Sequence, residues 1–318
     1  MDKRLLLAFV LAVLVMAGCS GGGGRGRIDR PTEIDYRRGT DGLVLSFPVG
    51  TLTKLYENDQ NVKMVVEVKN KGAFPQFEES GLNGHIWLGG FDNNIIELLP
   101  EETLLDESAL EGKSPYNLEG GYLGVVINGK VYNLPSGTSY YKPTLKVTVT
   151  YKYQTIAAPE VCIDPNPRST DVKEKVCDIT RFGSVSLSSS QGAPVAVTRV
   201  DEDATHDSTL FKFYIQNVGK GLVIDENDIS NDPNKGYDWD EMNKVRLADV
   251  SIGNRKVTEC RPDIGSYIDL INDKGYVFCK FSTAGINTVY TSPLNIVLEY
   301  GYANSIDKDI EIFEEVVY

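Results

Sequence analysis

The segment 225–241, DENDISNDPNKGYDWDE, holds the side chains best suited to binding a metal ion. Its candidate ligands are oxygen donors placed around a glycine: Asp232, Asn234, Asp238, Asp240 and Glu241. Calcium takes six to eight oxygen ligands, and short loops rich in Asp and Asn supply them. The position of Gly236 and the lack of a closing glutamate exclude an EF-hand loop. The sequence therefore predicts either a calcium site or an acidic loop turned towards solvent, and we favour the solvated loop.

Aromatic residues form a second group of candidates. Tyr237 and Trp239 lie among these acids, and Tyr140 and Tyr141 end the loop sequence PSGTSYY. Aromatic side chains on the end loops of a β-domain can bind glycans or protein partners. Such residues also cover an edge of their own domain, so both interpretations stay open for these four positions.

No residue pattern points to catalysis. The two histidines, His85 and His206, lie outside any spacing typical of metal ligands. The chain also lacks the G-x-S-x-G, P-loop and C-x-x-C motifs, so we predict no catalytic residue and a protein that is not an enzyme. The alternative is an extracellular hydrolase of carbohydrates, which needs only two carboxylates. The 45 acidic residues offer too many pairs to select one.

The first residues indicate export. Residues 5–17 are continuously apolar, and these thirteen residues are too few for a bilayer, which requires about 20; the length is typical of a signal peptide. Ala17 and Gly18 precede Cys19, which resembles the lipobox of secreted lipoproteins. The resemblance implies a signal peptide over 1–18 and lipid attachment at Cys19. An ordinary cleaved signal peptide is the alternative. The glycines and arginines over 19–40 predict a flexible tether.

The remaining cysteines are Cys162, Cys177, Cys260 and Cys279. An even number in an exported chain is typical of two disulfides, although four cysteines allow three pairings. We favour the sequential pairing because each couple brackets one local loop.

The composition limits the class of partner. The formal net charge of −13 argues against nucleic acid, which requires basic surfaces. The expected partners are the membrane, through the N-terminal lipid, and a surface protein or glycan; self-association is a further possibility.

The chain contains one β-domain twice. VVEVKNKGA (65–73) matches FKFYIQNVGKG (211–221), and the strand at 143–163 matches the strand at 292–312. Asn70 and Asn217 are 147 positions apart, and Tyr151 and Tyr300 are 149 apart. We therefore predict an all-β protein with two tandem immunoglobulin-like antiparallel β-sandwiches, over 41–160 and 183–318, joined by a disulfide-bracketed linker over 161–182. A short helix is predicted over 100–110.

The Asn-x-Gly step after an alternating strand resembles the cell-adhesion-related bacterial domain, an immunoglobulin-like module. The openings YRRGTDGLVLSF (36–47) and QGAPVAVTRV (191–200) are similar to those of uncharacterised archaeal surface proteins. The resemblance implies a sandwich fold and an extracellular role, without catalytic residues.

These features predict a lipid-anchored cell-surface protein that binds or scaffolds, as an adhesion or envelope component. Besides the carbohydrate hydrolase, the alternative is a subunit of a surface filament assembled by strand addition.

Overall fold

The computed structural model describes residues 36–76, 82–105, 107–169, 175–179, 183–257 and 259–315. The predicted signal peptide, Cys19 and most of the predicted tether lie outside the described residues. The end of that tether, 36–40, lies against the fold, because Tyr36 is buried and Gly39 N donates to Ser190 Oγ at 2.7 Å. Among the described residues, no helix has the length and apolar character to cross a membrane.

The first repeat is built from strands that alternate buried and exposed side chains. Its strands are β1 (Leu43–Ser46), β2 (Lys54–Tyr56), β3 (Val62–Asn70), β4 (Gly84–Gly89), β5 (Ile96–Leu99), β6 (Glu102–Leu104), β7 (Tyr122–Val131), β8 (Tyr140–Tyr141) and β9 (Thr144–Ala157). The helix predicted over 100–110 is wrong: β6 and a 3-10 turn (Glu107–Ala109) occupy this segment. The residues of β6 pair with β4, so tertiary pairing overrides the local helical preference.

The second repeat follows the same plan. Its strands are β10 (Glu160–Ile163), β11 (Ser184–Ser186), β12 (Val195–Ala204), β13 (Ser208–Asn217), β14 (Leu222–Ile224), β15 (Lys244–Ile252), β16 (Arg255–Lys256), β17 (Glu259–Arg261), β18 (Tyr267–Asp269), β19 (Lys274–Ser282), β20 (Tyr290–Asp309) and β21 (Glu311–Phe313). A 3-10 turn (Pro233–Lys235) lies between β14 and β15.

The strand order is that of immunoglobulin-like sandwiches. One sheet of the first repeat has the order β1-β3-β7-β5, and the second repeat has the corresponding order β12-β13-β19-β17, with β11 at its edge. This is the A-B-E-D order of an immunoglobulin sheet, with β4 and β9, or β15 and β20, in the places of strands C and F. The all-β prediction with two antiparallel sandwiches is confirmed.

The opposite sheets of the two sandwiches are one continuous sheet. Its main order is β16-β15-β20-β9-β4-β6, and β10, β14 and β18 pair with strands of this path. In an immunoglobulin domain, strand G lies beside strand F. Here β20 occupies the position of strand G in the first repeat, beside β9. In the second repeat, β9 occupies the position of strand G, beside β20. Each repeat therefore completes the sheet of the other, which the sequence pattern does not reveal.

The seam between β9 and β20 runs from Thr144, opposite Asp309, to Ala157, opposite Ile296. Tyr151 lies opposite Tyr302 and Tyr153 opposite Tyr300, and all four side chains are buried. Their hydroxyl groups cap the backbone of other strands. Tyr151 Oη accepts a hydrogen bond from Leu43 N, and Tyr300 Oη accepts one from Val195 N.

Equivalent asparagines have the same role in the two repeats. Asn70 Nδ2 donates to Phe74 O at 2.7 Å, and Asn217 Nδ2 donates to Gly221 O at 3.0 Å. The two acceptors are 147 positions apart, like the two asparagines. The repeat therefore extends to individual hydrogen bonds.

Both disulfides have the sequential pairing, Cys162–Cys177 and Cys260–Cys279. The predicted linker begins with part of β10, which pairs with the start of β20. Within it, Lys175 Nζ binds the buried carboxylate of Asp164 at 2.6 Å. The last strand, β21, pairs with β2 and β8 of the first repeat.

Candidate functional site: an acidic cleft between the repeats

The acidic loop, defined here as residues 225–241, connects β14 to β15 of the second repeat but packs on the first repeat. Asn234 Nδ2 donates to Leu88 O on β4 at 3.0 Å. A Cβ atom on Gly89 would overlap Asn234 Oδ1, so the glycine permits this close approach. The loop is therefore docked, which differs from the solvated loop that the sequence favoured.

A chain of buried hydrogen bonds holds the loop to the shared sheet. Trp87 Nε1 donates to Thr150 Oγ1 at 3.0 Å, and Thr150 Oγ1 donates to Ile229 O at 2.6 Å. The alternation over residues 144–153 predicts that the Thr and Lys side chains of β9 face solvent. Thr144, Lys146 and Lys152 are exposed, but Thr148 and Thr150 are buried. For Thr150 the reason is the acidic loop, which covers that face.

The docked loop and the β4–β6 hairpin enclose an open cleft of about 630 Å³. Trp87 and Glu102 line it from the first repeat, and the loop contributes Asp232, Tyr237, Asp238 and Glu241. Neither repeat forms this cleft alone. The lining holds four carboxylates and one cation, Lys235, which lies 3.6 Å from Asp232. The cleft is therefore net negative and suited to cations.

Two of the loop carboxylates stabilise the loop itself. Asp232 Oδ1 accepts from Asn234 N at 2.9 Å and caps the 3-10 turn. Glu241 accepts from Asn231 Nδ2 and from Asp238 N, at 2.8 and 2.7 Å. Asp238 and Asp240 are exposed and have no side-chain hydrogen bond among the described residues.

Burial and the neighbouring carboxylates raise the pKa of two groups in the acidic loop. Burial, followed by Asp225 and Glu241, raises the pKa of Asp228. Burial and the carboxylates of Glu241, Asp228 and Asp232 raise the pKa of Tyr237 to about 12. The Tyr237 hydroxyl is also buried without a hydrogen-bond partner among the described residues. The cleft therefore has a negative potential that favours protons and other cations.

The predicted calcium ligands lie in one loop, but the acids do not converge. The described residues contain no group of three or more His, Cys, Asp and Glu side chains arranged to hold a metal ion. Calcium binding at Asp232, Asn234, Asp238, Asp240 and Glu241 therefore stays a prediction.

The predicted aromatic residues separate into two places. Tyr237 lines the cleft, and Trp239 is 82% exposed on the same loop. Tyr140 and Tyr141 belong to β8, where Tyr140 Oη donates to Glu311 and Tyr141 Oη accepts from Asp92 N. These two tyrosines do not line the acidic cleft.

The two histidines are in different places, and only His85 contacts residues that line the cleft. His85 Nδ1 is 2.8 Å from Glu102 Oε1, and its ring stacks on Trp87 at 5.7 Å. His206 is exposed in the turn between β12 and β13.

A second surface was not predicted. On the outer side of β12, β13 and β19, cationic and aromatic side chains form a flat group, here named the cation–aromatic face: Arg199, Lys212, Tyr214, Tyr276 and Phe278. The signal was present in GYVFCKFS (275–282), where Tyr276 and Phe278 alternate with the buried Val277 and Cys279. A strand with bulky apolar residues on both faces either is buried on both faces or carries an exposed apolar surface.

Comparisons with known proteins assign no family. No protein-family model matches the chain, and no curated protein matches it. Among solved structures, the YadV chaperone is 10% identical and matches 85% of this chain and 100% of its own, with a TM-score of 0.20. The E. coli chaperone DraB is 9% identical over 79% of this chain and 84% of its own, with a TM-score of 0.18.

A surface-protein domain gives a similar match. The C-terminal domain of the Streptococcus agalactiae AgI/II polypeptide BspA is 9% identical, covering 85% of this chain and 99% of its own, with a TM-score of 0.18. Since these TM-scores lie far below those of proteins that share one fold, no property of these proteins is carried over. The immunoglobulin-like assignment rests on the strand order.

Proposed function

We propose that the chain is a lipid-anchored cell-surface protein that acts by binding, and that the acidic cleft is its binding site for a cationic partner. The lipobox-like sequence before Cys19 supports the anchor. The two disulfides support an oxidising location outside the cytoplasm.

One observation carries the binding site: the cleft is built from both repeats and is held open by their contacts. Trp87 forms its floor, with its indole N–H fixed by Thr150. The opposite wall is fixed by Asn234, which binds Leu88 O. A site held in shape before binding loses little conformational entropy when a ligand enters.

The chemistry of the cleft favours Lys or Arg side chains. Asp238 lines the cleft, and the exposed Trp239 and Asp240 follow it in the chain without lining the cleft themselves. A cation beside an indole ring gains both an ion pair and a cation–π contact. The ligand class is therefore a basic segment of a neighbouring surface protein.

Calorimetric titration with an oligolysine peptide tests this site. We expect binding that weakens with salt and falls at least about tenfold in the double variant Asp238→Asn/Asp240→Asn, the change expected when two exposed charge pairs are lost. The control is Asp307→Asn, which removes an exposed acid from β20 outside the cleft. Equal binding by all three proteins would contradict the assignment. Calcium that competes with the peptide would place the predicted ion in the same cleft.

The anchor is tested separately in the full chain. We expect Cys19→Ser to move the protein from the membrane fraction to the soluble fraction of the exporting cell. A protein that stays in the membrane fraction would contradict lipid attachment.

The hydrolase alternative has one supporting observation. Glu102 of β6 and Asp238 of the acidic loop both line the open cleft, and glycosidases use a pair of carboxyl groups that flank the substrate. Release of reducing sugar from polysaccharide, abolished by Glu102→Gln, would favour it over binding.

Strand addition has less support. The edge strands β1, β5, β11 and β17 have four residues or fewer. Short edges offer few free backbone groups to an incoming strand.

A further inference from the structure

We propose that the acidic loop docks on a second copy of this chain, whose cation–aromatic face receives the loop with Trp239 at the centre of the contact. The inference rests on the proposed function, because the loop is the same one whose Asp238 lines the cleft. It makes the contact head-to-tail, since the two surfaces are different.

The receiving surface is preorganised. Lys212 Nζ lies 4.7 Å from the ring centre of Tyr214, 4.6 Å from that of Tyr276 and 5.1 Å from that of Phe278. The Arg199 guanidinium lies over Tyr214 at 4.0 Å. These five side chains thus contact one another on the outer face of the sheet.

This layer is open to solvent. Tyr276 is 55% exposed and Phe278 is 47% exposed, and their rings contact each other edge to face at 5.4 Å. Adjacent exposed aromatic rings are a common feature of protein-binding surfaces.

The inserting surface is complementary in charge and carries an exposed aromatic ring. The acidic loop carries seven acidic side chains and one lysine. Trp239 projects from it with 82% exposure, between Asp238 and Asp240. The indole ring can stack in the aromatic layer while the two carboxylates reach Arg199 and Lys212.

A second copy satisfies both surfaces at once. A basic external partner suits the acidic loop but leaves the cation–aromatic face uncovered. An acidic glycan suits that face but is repelled by the loop. This face places Arg199 and Lys212 beside aromatic rings in a chain whose net charge is −13, and Arg199 is also paired with Asp201 at 2.9 Å.

A contact between two different surfaces is not self-complementary. After a first contact, the pair of copies still has one free loop and one free face, so further copies can add to form rings or open chains. Lipid anchoring would raise the local concentration of copies and favour this assembly.

Sedimentation velocity of residues 33–318, which form one compact unit, tests the proposal. We expect concentration-dependent assembly that weakens with salt. Trp239→Ala and Phe278→Ser should each weaken it at least about tenfold, as loss of a central aromatic contact does. Both residues are exposed, so the variants should keep the fold. The matched control is Tyr122→Ser, an aromatic residue 54% exposed on the corresponding sheet of the first repeat.

Mixing the two variants is the decisive experiment. Each variant retains the surface that the other lacks, so an equimolar mixture should give a dimer and nothing larger. The proposal is overturned if the mixture stays monomeric, if the wild-type protein never assembles, or if both variants assemble like wild type.

The oligolysine titration separates the two possible failures. If the protein is monomeric but binds the peptide through Asp238, the partner is not a second copy of the chain, and the proposed function stands. A monomer that does not bind the peptide would refute both. A monomer that binds polygalacturonate, with loss in Phe278→Ser, would assign the face to an acidic glycan instead.

Discussion

Lys152 and Gly301 lie directly opposite each other in the seam between β9 and β20, and they are the same position of the two repeats. They are 149 positions apart, the offset that separates Tyr151 from Tyr300. Because equivalent residues pair antiparallel about this point, a local two-fold axis relates β9 to β20. The chain therefore has the architecture of a symmetric dimer whose two subunits are covalently joined.

The equivalent asparagines provide a test of this symmetry. Asn70 is fully buried and makes three hydrogen bonds, to Phe74 O, Leu110 O and Gly72 N. Asn70→Ala should lower the free energy of unfolding by about 3 kcal/mol, because buried backbone groups lose their partners. Asn217→Ala, at a half-buried position, should cost about 1 kcal/mol. Urea unfolding measures both, with the exposed Asn128→Ala as control; equal losses would contradict the difference in burial.

Thr150 is predicted to hold the acidic loop. Thr150→Val keeps the shape of the side chain but leaves Trp87 Nε1 and Ile229 O unpaired. We expect a loss of about 2 kcal/mol and greater acrylamide quenching of Trp87. Thr148→Val is the control, since its hydroxyl bonds to Ser305 rather than to the loop. Unchanged quenching in Thr150→Val would show that other contacts hold the acidic loop in place without Thr150.

Glu202 should make stability depend on pH. Burial raises its pKa to about 7, although Cys162 N donates to its carboxylate. The folded state then holds the proton more tightly than the unfolded chain. Its contribution is complete below the unfolded pKa of about 4.5 and is lost as pH rises through about 7.

Glu202→Gln removes this dependence. The variant should equal the wild type near pH 4 and exceed its stability at pH 8, by on the order of 2 kcal/mol. Urea unfolding across this pH range measures the effect, and Glu160→Gln, at an exposed position of β10, is the control. A constant difference at all pH values would refute the titration of Glu202.

The two disulfides should differ in accessibility. Cys260 and Cys279 are buried, whereas Cys162 and Cys177 are half-buried. Mild reductant should therefore open Cys162–Cys177 first, as followed by alkylation and mass spectrometry. Without this bond, the unfolded chain no longer contains a closed loop with a sequence separation of 15. The greater entropy of the unfolded chain should lower the free energy of unfolding by about 3 kcal/mol. Simultaneous reduction of both bonds would contradict the order.

The repeat and the strand class were predictable from local patterns, because alternation along β9 and β20 places Leu145, Val147 and Tyr151 on one buried face. Pairing between the repeats was not predictable. The partner of β9 lies in the other half of the chain, and period-two alternation identifies the face of a strand but not its neighbour.

The sequence predicted the acidic residues of the candidate site but not the contacts that position them. Composition singled out the acids of 225–241, but not that Asn234 would reach Leu88 or that Trp87 would form the floor. These contacts arise from the pairing of the repeats. The cation–aromatic face was not predicted, because a phenylalanine such as Phe278 on a strand is more often a core residue than an exposed one.

The seam also has a consequence for folding, because its two strands are far apart in the chain. Residues of β9 pair with residues of β20 that lie between 139 and 165 positions further along. Until this pairing forms, β9 presents an unpaired edge fourteen residues long, and such an edge can pair with another chain. Pairing between such distant segments is slow, so we expect completion of the seam to limit the folding rate.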